Sequence, residues 1–198
     1  MRIKAAVLAL ALSLFCLPAL AQFNGRSEVS VDFTGNFQKQ ATGFGITDSP
    51  SYSGGFLINY RYHFDRWSAL EVNYGRTNFT QYYSTGDQTQ SNANEVTFAY
   101  VNTFGVSRHA RFRPFVEAGT GGLIFSPIQA GSLSAPLTQD RVAFLYGGGV
   151  DWRAMHHVAV RLGYRGLIYK APDFALGDQT TNALTQMAEP YVGVVFHF

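Results

Sequence analysis

Across residues 27–198 apolar side chains return at every second position, and a chain with that period is committed to strands with one apolar and one polar face. Tyr52, Gly54, Phe56, Ile58, Tyr60, Tyr62 and Phe64 share one parity; Ser53, Gly55, Leu57, Asn59, Arg61 and His63 share the other. The alternation repeats with Val29, Val31, Phe33 and Phe37, then Leu70, Val72 and Tyr74, then Val96, Phe98, Tyr100 and Phe104. A less regular run covers 112–125, and clean ones follow at 142–152, 158–168 and 190–198, so eight strands are predicted. Their connections alternate in length: tight near 65–67, 107–111 and 153–156, but long and rich in Gly, Ser, Thr, Gln and Asn at 40–50, 80–92, 126–139 and 171–186. Short turns at one end and long polar loops at the other predict a single all-β domain, an eight-stranded antiparallel up-and-down barrel.

Only 14% of the residues are charged, against roughly 25% in soluble domains. The 17 Phe, 11 Tyr and 2 Trp exclude a disordered chain. Past the N-terminal segment no apolar run reaches the ~18 residues of a spanning helix. Residues 1–21 read as a secretory signal: Arg2 and Lys4 precede an apolar stretch, and Ala19-Leu20-Ala21 gives the small-x-small cleavage pattern at Ala19 and Ala21. The expected mature domain is then 22–198. Cys16, the one cysteine, lies in the signal behind the bulky Phe15, so neither a lipid anchor nor a thiol, disulfide or thiolate metal ligand is expected in the mature chain. Loss of Arg2 and Lys4 leaves 13 basic against 13 acidic residues, a balance that argues against nucleic acid as a partner.

Alternation alone fits a soluble calyx as well as a membrane barrel; the aromatic residues distinguish them. Phe64, Trp67, Phe104, Phe112, Trp152, Phe196 and Phe198 gather at the short-turn ends, as an interfacial girdle requires, and Phe37, Tyr52, Phe79, Phe125 and Tyr169 are expected to form the opposite ring. The reading is therefore a transmembrane β-barrel. The closing strand ending Phe196-His197-Phe198, the segment Phe112-Arg113-Pro114-Phe115-Val116-Glu117-Ala118-Gly119 and the Gly-rich stretch from Tyr146 to Val150 resemble the small eight-stranded outer-membrane barrels, the group of OmpA transmembrane domains and OmpX-like proteins. The resemblance implies a Gram-negative-type bacterial outer membrane and periplasmic termini. It also implies surrounding lipid and lipopolysaccharide, a monomer, and an assembly signal at Phe196 and Phe198 read by the barrel assembly machinery.

The polar parity carries Glu28, Asp32, Arg61, His63, Glu71, Glu95, Glu117, Arg141, Asp151, Arg161, Arg165 and Glu189, which are assigned to the lumen. Eight strands leave a lumen just wide enough to be filled by side chains, and Arg forks on carboxylates satisfy both partners. A structural ion-pair plug is expected, with a narrow pore as the alternative. The glycines at 119, 121, 122 and 147–149 sit in strands with no following helix, so close packing explains them better than phosphate binding. All five histidines, His63, His109, His156, His157 and His197, map to the short-turn end, and no His-x-Ser or His-x-x-x-His pattern occurs, so neither catalysis nor a cofactor is expected. The long loops are the remaining place for a surface-binding, adhesin-like role.

Overall fold

The computed structural model describes residues 26–104, 110–130 and 137–198. The signal segment with Ala19 and Ala21, and His109, lie outside them. Ten strands follow in order: β1 (Ser27–Gln38), β2 (Ala41–Gly43), β3 (Ile46–Pro50), β4 (Ser53–His63), β5 (Ser68–Tyr83), β6 (Gln88–Thr103), β7 (Phe112–Ala130), β8 (Gln139–Arg153), β9 (Val158–Lys170) and β10 (Leu184–His197). A 3-10 turn, Gly177–Gln179, precedes β10. Eight long strands pair antiparallel in one ring, β1-β4-β5-β6-β7-β8-β9-β10, and the β1–β10 pairing closes it. The Phe198 amide donates to the Ser27 carbonyl at 2.9 Å, so the last residue is stitched to the first strand.

The register fixes the geometry that alternation leaves open. From Thr77 the cross-strand partners run through Gly55, Thr34, Tyr191, Gly163, Gly149, Phe115 and Thr103. The Thr103 amide then donates to the Trp67 carbonyl at 2.7 Å, so one circuit returns to β5 at Trp67, ten residues before it began. With strands about 4.8 Å apart and a rise of about 3.3 Å per residue, that stagger tilts the strands by about 40°. On β8 the outward residues run from Val142 to Trp152, a vertical height of about 25 Å at this tilt, which is the apolar band a bilayer demands.

The expected lower girdle is outward: Phe64, Trp67, Phe104, Phe112, Trp152, Phe196 and Phe198 are all exposed on the outer surface. The upper ring needs correction. Phe37 and Tyr52 face outward, but Phe79, Phe125 and Tyr169 are fully buried. They share the parity of Glu71, Leu123 and Leu167, and parity overrides the aromatic preference for an interface because a one-residue slip would turn every neighbour inside out. Residues 80–92, expected as a long loop, are mostly strand: β5 continues to Tyr83 and β6 begins at Gln88, with a tight turn whose Gly86 takes φ 93°. Thr, Gln and Ser on both faces hid an alternation that the burial pattern still keeps, with Gln81, Tyr83, Thr89 and Ser91 inward. The 40–50 connection also holds a hairpin, β2–β3, closed by Phe44 and Gly45 at positive φ; β3 extends the wall by pairing with the top of β5. β7 is one strand of 19 residues, so the irregular run at 112–125 does not mark a break.

Nor is the lumen polar throughout. Inside the loop-end half, Phe79, Leu123, Phe125, Leu145, Leu167 and Met187 belong to a fully buried apolar cluster. Leu145, Leu167 and Met187 lie side by side on consecutive strands, so this cluster crosses the barrel as a layer.

Candidate functional site

The charged residues of the inward parity collect in the half nearer the termini, in two tiers. In the lower tier Arg161 holds Asp151 with both arms of its fork, Nε to Oδ1 at 2.7 Å and Nη2 to Oδ2 at 3.0 Å. It also reaches Glu71 at 3.4 Å and Glu28 at 3.3 Å. Arg61 donates from Nε to Glu71 at 2.7 Å and lies 3.6 Å from Asp151. Both guanidinium groups lie over the Phe115 ring, at 4.4 Å and 5.1 Å from its centroid, where the ring face attracts cations. Glu28 is the hub at the terminal end: His63 Nε2 lies 2.7 Å from its Oε1, His197 Nδ1 3.1 Å and Arg113 3.6 Å. Asp32 joins through neutral donors, accepting from Ser30 at 2.9 Å and Asn59 at 2.5 Å.

In the upper tier Arg165 donates from Nε to Glu189 at 2.7 Å and from Nη2 to Glu95. Glu117 is buried beside Gly147 and faces the electrostatic field of Arg61, Arg161 and Arg165 without a direct hydrogen bond from the described residues. The structure thus brings together Asp32, Arg61, Glu71, Asp151 and Arg161 in one tier and Arg165 and Glu189 in the other, with Glu117 between them. Arg141 is not part of either. It keeps the inward parity, but it lies ten residues from Asp151 at the other end of β8 and pairs at 3.3 Å with Asp173, both partly exposed.

Buried Arg–carboxylate networks carry a large desolvation penalty, and only saturating geometry offsets it. The lattice, with Leu57, Ala69, Val101, Phe115 and Tyr191 buried in the same half, reaches across the lumen from Arg161 on β9 to Glu71 on β5. Close approach is built in by glycine: a Cβ at Gly163 would lie 2.4 Å from the Tyr191 ring. A reading by residue type alone misses three contributors, Phe115, His197 and Asn59. Their signal was their parity, which they share with Glu117, Val195 and Arg61. It also misses a buried polar set at the loop end, Asp48, Gln81, Tyr83, Gln179 and Thr181, because all five lie in segments that read as loop.

Known proteins share this architecture. OprG of Pseudomonas aeruginosa has a TM-score of 0.66 at 13% identity, with 88% of this chain and 96% of that chain covered. Neisserial surface protein A follows at 0.58 and 17%, covering 87% and 97%. Ail of Yersinia pestis, solved with the heparin analogue sucrose octasulfate, has a TM-score of 0.50 at 18%, covering 89% and 100%. Identities this low speak for the fold alone. No curated protein sequence matches the chain. The family described as outer membrane protein beta-barrel domain matches residues 7–198. With that match across nearly the whole chain, on a closed eight-stranded barrel banded by outward aromatics, the chain belongs to the outer membrane protein beta-barrel domain family and is a small barrel of the bacterial outer membrane.

Proposed function

We propose that this protein is a structural resident of the outer membrane whose lumen is closed by its own side chains, with no catalytic step and no cofactor. The observation that carries this reading is the Arg161–Asp151–Glu71–Arg61 lattice, which spans the lumen beneath the apolar layer of Leu145, Leu167 and Met187. An ion crossing would have to break buried charge pairs and then pass the aliphatic side chains of Leu145, Leu167 and Met187, which cannot replace its water. The barrel sits as a monomer among outer-membrane lipid and lipopolysaccharide, with the tight turns and both termini in the periplasm. Phe196 and Phe198, outward on the closing strand, are the residues for the assembly machinery to read. Planar-bilayer recording of the refolded protein tests the seal: the expected trace has no discrete current steps, and reproducible single-channel steps would establish the pore instead.

A second reading, a surface-binding role at the loop end, is favoured by one feature. The β5–β6 hairpin reaches well past Tyr74 and Val96, and beyond them its outer face bears Asn78, Asn92 and Asn94 with Tyr82 near the tip. Replacing the tip at 84–87 should leave membrane assembly intact; a binding role would then show as lost adherence in a cell-binding assay, and unchanged adherence would dismiss it.

A further inference from the structure

Above the apolar layer the lumen holds a second polar chamber that the ion-pair lattice does not use. Asp48 enters it from β3, where it pairs in register with Tyr83 of β5. Gln81 follows two residues earlier on β5, opposite Thr89 of β6. The Tyr83 hydroxyl donates to the Pro172 carbonyl at 3.3 Å and lies 3.5 Å from Gln81 Oε1. Thr89 Oγ1 approaches Gln179 Oε1 at 3.4 Å, which brings in the segment before β10, and the Thr181 backbone abuts β2 at Gly43. Tyr169 of β9 lies within electrostatic reach of the Asp48 carboxyl and stacks on Phe125 at 5.7 Å.

The chamber is buried and unsatisfied. Asp48, Gln81, Ser91, Tyr169, Gln179 and Thr181 are each at most 2% exposed, and each has a side-chain polar atom with no hydrogen-bond partner among the described residues: both carboxylate oxygens of Asp48, the hydroxyls of Ser91, Tyr169 and Thr181, and the amide nitrogens of Gln81 and Gln179. A buried polar atom left unpaired is costly and a charged one more so, and the two bare oxygens of Asp48, with the unpaired Tyr169 hydroxyl in electrostatic reach, call for an occupant. Its sign is set by the charges. Around Asp48 the described charged groups are few: Asp173, on the Tyr83 side, is itself held by Arg141, and no Lys or Arg pairs with Asp48. Carboxylate, phenol and hydroxyl oxygens around one uncompensated acid form the donor set of a hard cation, while the Gln81 and Gln179 amide oxygens already accept from Tyr83 and Thr89.

We infer that this chamber is a binding site for a calcium-class cation, with the Asp48 carboxylate as its anionic ligand and the unpaired hydroxyl oxygens of Tyr169 and Thr181 beside it. A single carboxylate makes the site weak, in the range of about 10⁻⁴–10⁻³ M that extracellular calcium modules use. The bound ion ties β3, β9 and the 172–183 segment into one cap. The site does not depend on the seal below it, so a conducting lumen would leave this inference standing.

Terbium(III) is the probe, because Tyr83 and Tyr169 line the chamber and sensitise its emission. The refolded full-length barrel in detergent micelles should give tyrosine-sensitised terbium emission that calcium displaces and that Asp48→Asn abolishes. Thr181→Val, a milder change, should weaken it several-fold. Calcium against chelator should raise the thermal midpoint of the wild-type barrel but not that of Asp48→Asn. Absence of calcium-displaceable emission from the wild-type barrel would overturn the inference without any variant. Equal emission from a folded Asp48→Asn would overturn it too, by assigning the signal to surface carboxylates.

Discussion

At the scale of single residues the lumen separates two kinds of arginine that the sequence presents alike. Arg161 is buried among three carboxylates, whereas Arg141 shares one with solvent access. Arg161→Ala should lower unfolding stability by about 3–5 kcal/mol, since it strands buried carboxylates, and Arg141→Ala by less than about 1 kcal/mol. Urea midpoints of the refolded barrel in micelles check this, and equal effects would contradict the tiered lattice. Asp48 adds a pH dependence. Burial pushes its carboxyl from 3.8 up to about 7. Tyr83 on β5 is itself pushed up by burial, and Tyr169 on β9 and Asp173, held by Arg141, are the other titratable groups around it among the described residues. An acid whose folded pKa is raised contributes stability that is full below about pH 4 and is lost as pH rises through about 7. In chelator, the wild-type thermal midpoint should therefore fall over that window relative to Asp48→Asn, and added calcium should restore it most above pH 7. That an Asp or Gln in a Ser/Thr-rich stretch points inward was legible only by carrying parity past the last apolar residue; pairing partners were not legible at all.

At the scale of elements, parity and polarity diverge where the strands leave the membrane. β6 has outward Val96, Phe98 and Tyr100, then Asn94 and Asn92. Phe98→Arg should cost about 2–4 kcal/mol and Asn92→Arg about 0–1 kcal/mol, because a lipid-facing cation is penalised by depth; refolding titrations into bilayers measure both. The eight strands were readable because lipid on one face and a packed lumen on the other impose period two for their whole crossing. The β5–β6 extension was not, because above the lipid neither face needs to be apolar and the residue types of a strand and a loop converge. Gly163→Ala tests the tight packing between neighbours: its Cβ would meet Tyr191 of the adjacent β10 at 2.4 Å, and the loss should be about 1–3 kcal/mol in the same urea assay.

At the scale of the whole molecule, strand count, closure and the terminal aromatic girdle follow from the sequence, but the ten-residue stagger does not. No local preference encodes how far one strand slides along the next around a ring, and that slide decides that Arg161 on β9 meets Glu71 on the far wall, whereas its pairing with Asp151 follows from the tight β8–β9 hairpin. Orientation is checked with single cysteines at exposed sites at the two ends. Thr85→Cys should react with an impermeant maleimide on intact cells, and Met155→Cys only after permeabilisation. The central claim is that one parity faces lipid and the other a closed interior, and a nitroxide scan of β6 through residues 95–103 in bilayers tests it most directly. Oxygen accessibility should peak at positions 96, 98, 100 and 102 and vanish at 95, 97, 99, 101 and 103; a reversed phase, or no period of two, would contradict it.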